Sequence, residues 1–371
     1  MHHYRFTCTK CCKNYVPNAL NLRCEDCQGT LSVQYKFPTE QMSSFNYGEG
    51  ISMPIPIPSP SDLVSLGEGN TPVLKLSKIS NQLDLEIYAK LEFMNPTGSF
   101  KDRGTSMMIS ALRSMGVSEI VEDSSGNAGA SVAAYSSKAE IKAHIFAPSS
   151  APDTKLNQIK VYGSVLHSID GSRDKTTEAA EAFAKEKKAI YASHNLSPFF
   201  IEGTKSFGYE IFNDFGKEIP ENIIVPVGNG SLFLGIWKAI TELDTQNLIG
   251  TKPSLHCIQA VNVNPIASPV PWNISQIAPT IAGGIAVGTP PRKSEVRKVL
   301  EESNGFANSV TEESIKEWQI NLAKYEGIFC EPTSAAAFAG LENLVNRNRI
   351  DKAKRVLIPV TGSGLKDAFP E

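Results

Sequence analysis

The residues Asn95-Pro96-Thr97-Gly98-Ser99-Phe100-Lys101-Asp102-Arg103-Gly104 carry the clearest chemical signal in this chain. Pro96 fixes φ and Gly98 permits a positive φ, so a sharp turn is expected before Lys101. The apolar run that follows reads as a helix. A lysine at a helix N-terminus sits in positive potential, which favours its neutral, nucleophilic amine. Such an amine is suited to forming a Schiff base with an aldehyde cofactor.

Three further loops suit small anionic or heteroaromatic groups. Asp123-Ser124-Ser125-Gly126-Asn127-Ala128-Gly129 follows a strand and opens a helix of small residues. Its backbone N–H groups and hydroxyls can bind a carboxylate, and Asn127 can reach a phenolate oxygen; a plain serine-capped helix start is the alternative. Gly228-Asn229-Gly230-Ser231-Leu232 again joins strand to helix. It lacks the Lys-Ser/Thr of a nucleotide-binding P-loop and completes only half of a dinucleotide fingerprint, so it reads as a monophosphate cradle or a tight turn. Thr361-Gly362-Ser363-Gly364 offers a hydroxyl that can hydrogen-bond a ring nitrogen without protonating it. Glu331, ahead of a small-residue helix, either lies against the site or caps that helix.

Five of the seven cysteines fall within the first 27 residues. Cys8-x-x-Cys11 and Cys24-x-x-Cys27 have the spacing of a four-thiolate zinc site, with Cys12 as a less well spaced substitute for Cys11. Alternating residues in Tyr4–Phe6 and Leu31–Tyr35 read as short strands around it. A module this small needs such a structural staple.

These loops need a scaffold. From residue 65 the chain alternates strands (Glu86–Leu91, Glu119–Glu122, Lys142–Ala147, Val165–Ile169, Asn222–Val227, Ser254–Ala260, Arg355–Pro359) with helices (Lys101–Met115, Ala128–Lys138, Lys155–Tyr162, Lys175–Lys187, Thr204–Phe215, Leu232–Leu243, Thr311–Glu326, Ser334–Arg347). The pattern predicts an α/β fold of open, mostly parallel sheets, with ligands at strand carboxyl ends. The expected organisation is a β zinc ribbon over 1–37, a proline-rich linker over 38–64 that acts as an extended spacer, and a core over 65–371. That core divides into a smaller subdomain of about 105–200 and a larger one from the remainder. The chain is 41% hydrophobic and 20% charged with a net charge of −3, which gives no electrostatic case for nucleic acid or anionic membrane. No apolar run has transmembrane length and the N-terminus lacks a signal-peptide core, so a cytoplasmic protein is expected.

In this order, the loops resemble those of the fold-type II pyridoxal-phosphate enzymes, and within them the threonine synthase family. The resemblance also rests on Leu66–Pro72, Lys90–Gly104, Glu202–Ser206, Gly327–Ala337 and Thr361–Asp367, and zinc ribbons precede the core in some threonine synthase-like chains. It implies a lyase of threonine biosynthesis acting on a small amino-acid substrate, commonly as a homodimer. Alternatives are β-replacement on an O-activated serine and amino-acid ammonia-lyase chemistry. It implies that Lys101 bonds the cofactor and moves protons. Asn127 would contact the 3′-oxygen and Gly228, Asn229, Gly230, Ser231 and Leu232 the phosphate. Thr361 would contact the ring nitrogen, and Ser124, Ser125, Gly126 and Ala128 the substrate carboxylate. The chain departs from the family pattern at Phe199-Phe200, where a basic residue is expected to grip a substrate phosphate, and Ile281–Pro290 also lacks an expected arginine. Lys155, Lys205, Arg103 and His194 are the candidates to compensate.

Overall fold

The computed structural model describes residues 3–35, 43–46, 51–151, 153–171 and 173–367; positions 36–42 and 47–50 of the expected ribbon end and linker lie outside these. Two compact units form, one from Met1–Glu68 with Lys101–Ser206 and the other from Gly69–Phe100 with Phe207–Glu371.

The first unit begins with an antiparallel ribbon of β1 (Tyr4–Cys8), β2 (Asn14–Tyr15) and β3 (Leu31–Tyr35), in the order β2-β1-β3. Tyr4, Phe6 and Cys8 are buried while Arg5 is exposed, the period of two that the sequence shows. An antiparallel pair of β4 (Ser44–Asn46) and β5 (Ser52–Pro54) follows. The proline-rich segment is extended, but it is not a free spacer. Residues 53–57 are buried throughout, with Met53, Ile55 and Ile57 at most 1% exposed, so the segment packs down as a strap. The unit's parallel sheet has the order β10-β9-β8-β11, from β8 (Glu119–Glu122), β9 (Lys142–Pro148), β10 (Val165–Ile169) and β11 (Ile190–Tyr191). Its helices are α2 (Lys101–Ser114), α3 (Asn127–Lys138), α4 (Asp153–Val161), α5 (Arg173–Lys187) and α6 (Pro198–Thr204).

The second unit is a six-stranded sheet ordered β14-β13-β12-β15-β7-β6. Its strands are β6 (Val73–Lys75), β7 (Glu86–Lys90), β12 (Asn222–Pro226), β13 (Ser254–Ala260), β14 (Ala307–Val310) and β15 (Arg355–Pro359). Only the edge strand β6 is antiparallel. β12 is buried at every position, as a strand covered on both faces requires. The helices are α1 (Ser77–Leu83), α7 (Ser206–Phe215, entering from the first unit), α8 (Ser231–Thr245), α9 (Lys293–Glu302), α10 (Glu312–Glu326) and α11 (Pro332–Asn346). Small residues let α11 press onto the sheet: a Cβ on Gly340 would stand 2.4 Å from Ile258.

Candidate active site

Three of the four loops leave three adjacent parallel strands of the second unit. β7 pairs with β15 and β15 with β12, and their carboxyl ends lead to the lysine turn, to Thr361 and to Gly228–Leu232 respectively. Neighbouring strands lie about 4.8 Å apart, so the sheet delivers these loops side by side. The lysine turn closes as its glycine dictates, with Gly98 at φ 83°. It is then tied to the Thr361 loop, because Ser363 N–H donates to Gly98 O (3.1 Å) and Phe100 N–H donates to Thr361 O (3.0 Å). Lys101 is the next residue in the chain, one peptide from that anchor.

At the Gly228–Leu232 loop the backbone runs close to its neighbours. A Cβ on Gly228 would lie 3.1 Å from Gly284 O, and one on Gly230 would lie 2.5 Å from Val296. Gly230 stands at φ 89° as N-cap of α8, with no side chain capping the helix. Backbone donors at a helix start are thereby presented without a competing side chain, the donor set a phosphate monoester needs. The Gly283–Ile285 turn, within the segment that lacks an arginine, packs on Gly228.

Thr361 is 1% exposed and does not stand alone. Its Oγ1 lies 2.9 Å from Ser334 Oγ and donates to Glu331 Oε1 at 3.4 Å. Glu331 occupies the N-cap position of α11 but makes no side-chain cap bond, so it lies against the site. A Cβ at Gly362 would stand 2.4 Å from its Oε1. Ser334 was not singled out by its sequence context; only its place three residues after Glu331, on the helix face turned to Thr361, marks it.

In the first unit Lys101 opens α2, as expected. Ser124 and Ala128 are buried, while Ser125, Gly126 and Asn127 are half-buried at the start of α3. Gly129 is needed because a Cβ there would overlap Ser124 O. The two helices are joined beside the lysine by Ser131 Oγ, which donates to Asp102 Oδ1 at 2.6 Å.

The family-departing segment becomes legible here. Phe200 is fully buried, with its ring 5.7 Å from Lys101 Nζ and against Gly104. Phe199 instead faces the ribbon, its ring 5.2 Å from Phe6 and 6.1 Å from Tyr4. Lys205 forms a fully buried ion pair with Glu202 at 2.9 Å, and Arg103 donates to Ser206 Oγ at 2.9 Å. Lys155 sits half-buried in the first turn of α4. His194 Nδ1 lies 2.6 Å from Glu122 Oε1, and the His194 N–H donates to Glu122 Oε2. Burial pushes the Glu122 carboxyl well above its usual range and the His194 imidazole well below its own. The pair therefore shares its proton without separating charge. Glu122 ends β8 and His194 follows β11, the adjacent strand, which no single-residue pattern reveals.

The sulfurs of Cys8, Cys11, Cys24 and Cys27 lie within 4.8 Å of one another, with Cys8–Cys27 and Cys11–Cys24 at 3.5 Å. Four thiolates around zinc at about 2.3 Å are separated by about 3.8 Å, so the donor set fits. Cys12 is exposed and outside the cluster. It and Gln28, the residues directly after each pair, adopt left-handed φ of 63° and 57°, where such knuckles ordinarily carry glycine. Gly29 fills the tight place instead, since a Cβ would stand 2.9 Å from Cys8 Sγ.

Comparison with known proteins identifies the family. The family described as "Pyridoxal-phosphate dependent enzyme" matches residues 64–362. The threonine synthase of Methanocaldococcus jannaschii is 34% identical over 379 residues, covering 97% of this chain and 92% of that one. The threonine synthase of Bacillus sp. is 35% identical over 316 residues, covering 85% and 88%. Among solved structures, maize serine racemase superposes with a TM-score of 0.67 at 23% identity, covering 80% and 88%. Threonine deaminase isoform 2 of Solanum lycopersicum gives 0.68 at 18%, covering 79% of each chain. These two likenesses speak for the fold. The chain belongs to the pyridoxal-phosphate dependent enzymes, as a lyase of the threonine synthase family.

Proposed function

We propose that this protein converts O-phosphohomoserine and water to threonine and phosphate, by γ-elimination followed by β-addition of water. The observation that supports this most directly is the delivery of the lysine turn, the Thr361 hydroxyl and the glycine loop by three adjacent strand ends. Bound pyridoxal phosphate supplies an electron sink for charge developing at the substrate's Cα. Lys101 would hold its aldehyde carbon covalently and carry protons at the substrate's carbons. Asn127 would orient the 3′-oxygen, and the amides of Gly228, Asn229, Gly230, Ser231 and Leu232 would hold the phosphate. Thr361, backed by Ser334 and Glu331, would fix the ring nitrogen with a hydroxyl, a donor too weakly acidic to give up its proton. Ser124, Ser125, Gly126 and Ala128 would surround the substrate carboxylate. The buried Phe200 beside Lys101 favours a second reading, β-replacement or ammonia-lyase chemistry on a substrate without a distal phosphate. Phosphate release from O-phosphohomoserine, measured against O-phosphoserine and threonine, separates the two. Threonine and phosphate in equal amounts are expected; pyruvate or 2-oxobutyrate with ammonia overturns the first reading.

Cys8, Cys11, Cys24 and Cys27 would hold one structural zinc. The Tyr15 hydroxyl, 3.0 Å from Cys24 Sγ, lowers that thiol to about 6 and favours the thiolate that zinc binds. Metal analysis should give one zinc per chain, and Cys24→Ala should lose it along with the ribbon's resistance to proteolysis; a stoichiometry unchanged by the substitution refutes the site. Among the described residues no helix is long and apolar enough to cross a membrane. We further propose a cytoplasmic homodimer without nucleic-acid partners.

A further inference from the structure

Within the first unit the ribbon grips α6. Phe199 on α6 is held edge-on by Phe6 and Tyr4 of β1, at 5.2 and 6.1 Å. The last residue of β3, Tyr35, donates its hydroxyl to Glu202 Oε2 at 2.5 Å. The Tyr35 ring lies 4.8 Å from Lys205 Nζ, and that ammonium donates to Glu202 Oε2 (2.9 Å) and Pro54 O (3.0 Å). Ribbon, strap and α6 thus share one buried charged cluster.

The other side of α6 bears on the lysine. A Cβ on Gly203 would stand 2.0 Å from Arg103 O, so α6 touches the backbone of the first turn of α2. Phe200 packs on Gly104 with its ring 5.7 Å from Lys101 Nζ. Consecutive residues Phe199 and Phe200 therefore face the ribbon and the catalytic helix respectively. A seven-residue helix held by backbone contact has no slack to absorb a shift on one side.

We propose that the ribbon is a working part of the lysine site, and that Tyr35, Phe199 and Lys205 are positioning residues that set Lys101 through α6. This rests on Lys101 being the cofactor lysine. Loosening the ribbon moves α6, moves the first turn of α2, and displaces the amine from the atoms it must reach.

The test uses the full chain with its cofactor and metal, comparing Tyr35→Phe and Phe199→Leu with wild type. Tyr209→Phe, which removes a hydroxyl bond to Glu242 in the second unit, controls for stability loss alone. Three readouts are taken well below each variant's melting temperature: the pH midpoint of the bound cofactor's visible band, the pH profile of kcat, and KM. Tyr35→Phe and Phe199→Leu are expected to lower kcat about tenfold, within the ~100-fold that a 1 Å misplacement can cost. Both should shift the spectral midpoint while leaving KM within about twofold. Tyr209→Phe should change neither. If the ribbon variants melt earlier but keep the wild-type kcat and spectral midpoint, the ribbon is a passive domain and the proposal fails. A wild-type protein that shows no visible band with added pyridoxal phosphate defeats the underlying reading instead.

Discussion

Lys101→Ala should abolish turnover, by more than about 10⁴-fold, and leave pyridoxal phosphate bound without a covalent link. The magnitude follows from the two tasks this position is given. Loss of a positioned general base alone costs up to about 10⁴-fold, and here the covalent attachment goes with it. Binding should survive, because the glycine loop and the Thr361 hydroxyl belong to other strands and neither depends on the lysine side chain. Two measurements check this. Borohydride should fix the cofactor to the wild-type chain, at Lys101 by peptide mapping, and should fix none to the variant. The variant should still quench its tryptophans when pyridoxal phosphate is added. Full activity in Lys101→Ala, or reductive labelling at another lysine, ends the assignment.

The reason this lysine could be singled out is physical. Gly98 is needed by backbone geometry and takes the positive φ its residue type allows. Gly230 is likewise fixed by its φ of 89° and by Val296, 2.5 Å from where a Cβ would stand, and a Cβ at Gly228 would be tight at 3.1 Å. Such requirements leave a mark on residue type, and so these turns were legible. Most elements that escaped notice have a weak or split signal; α9 is the exception, missed although Val296, Val299 and Leu300 fall at helical spacing. β6, β11 and β14 have two to four residues, too few for a period to show. α6 has seven residues, all buried, so it has no polar face and no helical period. The strap at Met53–Ile57 reads as a spacer because its prolines dominate, while its continuous burial depends on a surface distant in sequence. The same holds for Glu122 with His194, 72 residues apart, and for Glu331 with Thr361, 30 apart. Pairings of this kind arise from strand order, and strand order is not written in either residue. At Phe199 and Phe200 the sequence supports only the statement that a basic residue is absent. The structure adds what the rings do: one closes on the ribbon, the other on the lysine.

The second large effect is expected at the Glu202–Lys205 pair. Lys205→Met should destabilise the first unit by about 3–5 kcal/mol, the cost of removing one partner from a buried ion pair. Both side chains are essentially unexposed, at 1% and 0%, so water cannot replace the lost ammonium. Glu202 would retain the Tyr35 hydroxyl but lose the charge that offsets its own, and Pro54 O would lose a donor. In a unit of this size each kcal/mol moves the melting midpoint by about 2–4 °C, which gives a fall of roughly 6–20 °C. The double variant Glu202→Met/Lys205→Met separates charge burial from packing. With both ionic groups gone there is no unpaired charge, and two flexible apolar side chains fill comparable space. Tyr35 keeps Pro54 O as a partner at 3.1 Å. The double variant should therefore melt above the single one, a non-additivity that direct contact requires. A single-variant loss under about 1 kcal/mol would place the pair in the class of solvated surface bridges.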